Sequence, residues 1–118
     1  MPECAYCNPS VDDAWVANEL VVAIPHPNPA SAFHVVVAPR RHVPSFYDLD
    51  VQEQRAIWNV LGELRERIAA STTVEKFMAG FVDVEGGVEP AHTHVHLVPK
   101  VAGHNVTLPE GAEWVELT

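Results

Sequence analysis

Ile57, Val60, Leu61, Leu64 and Ile68 recur at steps of three and four residues, the spacing that gathers side chains on one face of a helix. The pattern predicts one long helix over about residues 51–71. Asp50 can cap its first turn while Glu53 reaches back, a capping box. Elsewhere the apolar runs are short and β-branched. "AWVANELVVAIP", residues 14–25, predicts two short strands around a turn near Asn18 and Glu19. "FHVVVAP", ending at Pro39, "KFMAGFVDV", residues 76–84, and "AEWVEL", residues 112–117, have strand length and strand composition. "PHPNPAS", residues 25–31, carries three prolines and reads as an irregular loop, and "EGGVEP" as a turn. Strands, one helix, then more strands predict an α+β fold: a mostly antiparallel sheet of about five strands with one long helix.

No repeat or linker divides the 118 residues, so a single domain over residues 1–118 is expected. The apolar fraction of 47% and charged fraction of 19% are those of an ordinary globular protein. Lys and Arg number 7 against 16 Asp and Glu, a net charge of −9. That balance argues against nucleic acid or an acidic membrane surface as partner. Arg40 and Arg41 form an adjacent basic pair and read as solvated at a strand end. No apolar run approaches a membrane span. "MPECAYCNPS" has no basic start leading into an apolar stretch, so a cytoplasmic location is expected.

Two chemical features stand out. Cys4 and Cys7 are spaced C-x-x-C with Pro9 just beyond. A redox pair belongs between a strand and a helix, whereas a two-thiolate knuckle can donate to zinc if two further ligands come from elsewhere. The second feature is "EPAHTHVHLVPK", residues 89–100. On a strand, His92, His94 and His96 share one face and Thr93, Val95 and Leu97 the other. Successive same-face residues lie about 6.5–7 Å apart, so three such imidazoles do not easily converge on one metal. They read better as a row with three different jobs: nucleophile, proton donor and ligand are all within reach of imidazole near neutral pH.

These residues resemble the histidine triad (HIT) family, whose motif is His-x-His-x-His followed by two apolar residues; "HTHVHLV" matches it. "FHVVVAPRRHVPSFYDLD", the Gly86-Gly87 pair and "VPK" are similar to the family's flanking segments. The resemblance implies a HIT-like fold and a nucleotidyl hydrolase or transferase working at the α-phosphate of a nucleotide conjugate. His94 would attack phosphorus, His96 would assist the leaving group, and His34 would support the site. Gly87, Glu89 and His26 fall at substrate-contacting positions. A structural zinc on Cys4, Cys7, His42 and His92 is implied too, as is a homodimer acting on a small nucleotide-like substrate.

The chain also differs from that pattern. Phe81 stands at a position where many relatives have a phosphate-binding Asn. Glu89 stands where Ser or Thr is usual, Val88 where Gln often precedes it, and His26 where an acid often serves the ribose. A second reading is therefore a non-catalytic, zinc-stabilised ligand-binding module, and a third makes His94 and His96 two ligands of a catalytic metal. Taken alone, His34 reads as a half-buried strand histidine, and His26 and His104 as solvated loop residues. Trp15, Trp58 and Trp114 read as core or interface residues.

Overall fold

A computed structural model of the chain describes residues 14–26, 29–43, 45–82, 93–104, 106–108 and 113–117. They form β1 (Val16–Ala17), β2 (Val21–Pro25), β3 (Val35–Pro39), a 3-10 turn (Phe46–Asp48), α1 (Val51–Ser71), β4 (Val74–Val82), β5 (His94–Val101) and β6 (Glu113–Leu117). The strands make one sheet in the order β1-β2-β3-β5-β4-β6, and every neighbouring pair is antiparallel. The expected α+β class holds, with six strands where about five were expected, because β6 pairs fully with β4. Among the described residues no helix is long and apolar enough to cross a membrane.

The helix starts where its cap dictates. Glu53 donates its backbone N–H to Asp50 Oδ1 at 2.8 Å, and Asp50 donates its own to Glu53 Oε1 at 3.1 Å. The Glu53 side chain is only 5% exposed and is met by Arg41 Nη2 at 2.8 Å. A buried carboxylate needs such a partner. The Arg41 hydrogen bond holds the Glu53 carboxyl below the usual carboxylate range. Arg40 donates to the Asn18 carbonyl. The basic pair is exposed at the end of β3, as expected, and it also ties that end to the β1–β2 turn and to the start of α1.

The two faces of the sheet divide the work. Ile57, Val60, Leu61, Leu64 and Ile68 of α1 pack over Val21, Ala23, Val35, Val37, Phe77, Ala79, Val95 and Leu97. Each large buried aliphatic contributes about 1.5–3 kcal/mol relative to exposure. The alternate residues of the same strands, including Val22, Val36, Ala38, His96 and Val98, are buried on the opposite face. There, Val106 and Leu108 line a small cavity with Met78 and Val98. The alternation read from the histidine segment is therefore real: Val95 and Leu97 turn to the helix, His96 away from it.

Candidate active site

β3 was expected from Phe33 onward but begins at Val35, because Phe33 has a left-handed backbone with φ 68°. L side chains occupy that region at a steric cost. The chain gains a sharp reversal, in which His34 donates its N–H to Ser31 O at 3.2 Å. Phe33 packs its ring against Trp15, with centroids 6.1 Å apart. His34, beside it, is 1% exposed and on the face opposite α1.

Register then assembles the site sideways. Val36 of β3 is paired with His96 of β5, and His96 with Gly80 of β4, which faces Trp114 of β6. His34 Nε2 lies 2.9 Å from His96 Nδ1. Ala30 donates its N–H to His34 Nδ1 at 3.0 Å. These partners assign the protons. A nitrogen that accepts from an amide carries no hydrogen, so neutral His34 holds its proton on Nε2 and gives it to His96 Nδ1. His96, also neutral, then holds its own proton on Nε2. Burial, with a smaller contribution from His26, pushes the His34 pKa down to about 4. Burial first, then His94, His34 and His26, push His96 down to about 3. Both are neutral at pH 7, as the hydrogen bonds require.

His94 is half-buried, its ring 5.1 Å from that of His96 in an edge arrangement. His26 is not a solvated loop residue. It stacks on His34 with ring centroids 4.5 Å apart and planes 10° apart, and its N–H donates to His34 O at 2.9 Å. Among the described residues, the histidines that converge include two from outside the linear triad. Ligand nitrogens of His26, His34 and His96 all lie within 4.8 Å of one another, although the three come from the ends of β2 and β3 and from the body of β5. The sequence contained no local sign of this, since only strand order creates it.

Trp114 was also missed. Its ring centroid is 5.9 Å from that of His96, and it lies over Gly80, where an added Cβ would fall 2.7 Å from two of its ring atoms. Phe81 needs correcting as a substituted phosphate ligand. It sits on the helix side against Phe46 and Trp58, at 5.9 and 5.7 Å. On β4, Gly80 is paired with His96 and Val82 with His94. His104 is exposed, as expected.

Of the expected zinc ligands, His42 is exposed just past β3, while Cys4, Cys7 and His92 lie outside the described residues, as do Gly87, Val88 and Glu89. One contact bears on the set. Thr93 donates its N–H to Val43 O at 2.7 Å, which joins the backbone next to His92 to the backbone next to His42. Two thiolates and two imidazoles are a closed tetrahedral donor set for zinc.

The family model for the HIT domain matches residues 10–103. A bifunctional bis(5'-adenosyl)-triphosphatase/adenylylsulfatase of Arabidopsis thaliana is 26% identical over 92 residues, which are 77% of this chain and 51% of that protein. The chain thus spans about half the length of this curated relative. The NitFhit protein of C. elegans superposes with a TM-score of 0.71 at 23% identity, over 84% of this chain and 24% of that one. A Zn-bound histidine triad family protein from Mycobacterium smegmatis superposes with a TM-score of 0.63 at 19% identity, over 88% and 79%. The matched domain places the chain in the HIT-domain family, and the six-stranded antiparallel sheet and long helix of the described residues agree with it.

Proposed function

We propose that the protein is a hydrolase or transferase of small nucleotide conjugates, acting at the α-phosphate with His94 as nucleophile. The observation that carries this reading is the proton chain from His34 Nε2 to His96 Nδ1. It leaves His96 with an N–H on its outer nitrogen, a hydrogen-bond donor for charge developing on the leaving atom. In the first step a His94 ring nitrogen attacks phosphorus. A P–N bond forms and the bond to the leaving atom breaks; that atom departs hydrogen-bonded to the His96 Nε2–H and takes its proton from solvent. In the second step water attacks phosphorus, the P–N bond breaks to return neutral His94, and the water's proton passes to solvent. His34 holds His96 in the productive tautomer throughout. Gly87, Glu89 and His26 are proposed substrate contacts.

Cys4, Cys7, His42 and His92 would hold a structural zinc, which supplies folding free energy and takes no part in the steps above. The proposal extends to one domain across the chain, a cytoplasmic homodimer, and a substrate that is not a nucleic acid, in keeping with the net charge of −9. The test is a panel of nucleotide phosphoramidates and dinucleoside polyphosphates against wild type and His94→Ala. Acid quench during turnover should trap labelled nucleotide on wild type and none on the variant. Turnover by His94→Ala above a few per cent of wild type would overturn the nucleophile. No turnover by wild type on any substrate, with binding retained, would favour the non-catalytic module.

A further inference from the structure

We propose that His26, His34 and His96 form a transition-metal site with the fourth position open, separate from the two-thiolate zinc set. Their ligand nitrogens already lie within 4.8 Å of one another. Tetrahedral coordination at about 2.0–2.1 Å puts donor nitrogens about 3.4 Å apart. The His34–His96 pair at 2.9 Å must therefore open slightly, and the His26 ring, stacked on His34 with planes 10° apart, must turn so that its in-plane lone pair meets the same ion. Two of the three rings and the backbone beside the third are held in place. His34 and His96 are buried, and the backbone bond from His26 to His34 O fixes the first two against each other. All three donors are imidazoles. That set suits zinc, cobalt, nickel or copper and is a poor match for magnesium or calcium, which want oxygen.

The hydrogen bonds say what binding must displace. His34 Nδ1 accepts from Ala30 and its Nε2 proton points at His96. An ion taking His34 Nε2 moves that proton to Nδ1, where it faces the Ala30 N–H and breaks that bond. It also occupies the His96 nitrogen that accepts from His34. Ion and proton chain therefore exclude each other. If the proposed hydrolase reading holds, an ion here switches the site off; the site itself does not depend on that reading.

Cobalt(II) is the probe, added to metal-stripped full-length protein carrying Cys4→Ser and Cys7→Ser. Without thiolates, the expected complex shows ligand-field bands in the visible and lacks the sulfur-to-cobalt charge-transfer band. Its backbone signature is a shift of the Ala30 amide resonance. Adding His26→Ala should weaken cobalt binding at least as much as the roughly 10- to 100-fold that loss of an outer-shell partner costs a metal site. Failure of the double-cysteine protein to bind cobalt would overturn the proposal. So would binding that leaves the Ala30 amide unmoved, or an undiminished affinity after His26→Ala. None of these readings involves turnover, so their failure is distinct from failure of the nucleotide reading.

Discussion

His34 and His96 stand 62 residues apart in the chain and 2.9 Å apart in space, joined by one hydrogen bond between two buried rings. Replacing His34 leaves His96 Nδ1 without that donor. An unsatisfied buried group costs about 1–3 kcal/mol, so His34→Ala should lower the free energy of denaturation by at least that range. Turnover should fall by up to about 100- to 1,000-fold, the cost of losing one oriented hydrogen-bond donor at developing charge. Urea titration and steady-state kinetics measure the two effects. Unchanged stability would contradict the bond.

The same two rings set an acid limb. The unfolded chain protonates each near the ordinary pKa of 6.5, the folded protein only near 4 for His34 and near 3 for His96. Unfolding therefore takes up protons in that interval. Their contribution to stability is complete above about pH 6.5 and is lost as pH falls toward 3. Denaturation at pH 7, 6, 5 and 4 should show a shallower decline in His34→Gln than in wild type. Equal slopes would mean that His34 is not buried neutral.

Gly80 is cleared for the Trp114 ring. A methyl there meets ring atoms at 2.7 Å, and overpacking of that kind costs about 1–3 kcal/mol. Gly80→Ala should lose that much and shift Trp114 fluorescence as the ring leaves His96. In Trp114→Leu the same alanine should cost clearly less, since residues in contact are not additive. Additive costs would place the ring elsewhere.

Phe33 offers a test of sign. At φ 68° glycine is unstrained while alanine pays the left-handed penalty. Both lose the Phe33 ring. Phe33→Gly should therefore be more stable than Phe33→Ala by about 1 kcal/mol, the reverse of the order in a helix or strand. Chemical denaturation of the two variants decides it.

For zinc, about one equivalent per chain is expected, with occupancy lost or weakened in Cys4→Ser, Cys7→Ser and His42→Ala. The melting temperature should fall with it, because metal affinity is partly folding free energy. Full occupancy in Cys4→Ser would contradict the ligand set.

How legible all this was depends on the range of the interactions. The helix could be read from its apolar period and from Asp50 and Glu53, because those contacts span only a few residues. The outward face of His94 and His96 could be read from strand alternation. The Arg41–Glu53 ion pair was not legible because Glu53 lies beyond the turn, on another element. His26, Gly80 and Trp114 gave no local signal either. They reach the site because β5 inserts between β3 and β4, and β6 closes on β4. The lateral row that results is a property of strand order, and period along the chain carries no information about it.

The strand order also has a temporal side. β2 and β3 are near neighbours in sequence and can pair as soon as both exist, whereas Val36 meets His96 only after a 60-residue loop has closed. Non-local pairings of this kind come late and slowly, because loop-closure entropy must be overcome before they contribute. The proton shared by His34 and His96 is thus a clock for the chain's last large step. A refolding experiment that follows its resonance should find it arriving after the helix, and the protein without chemistry until it does.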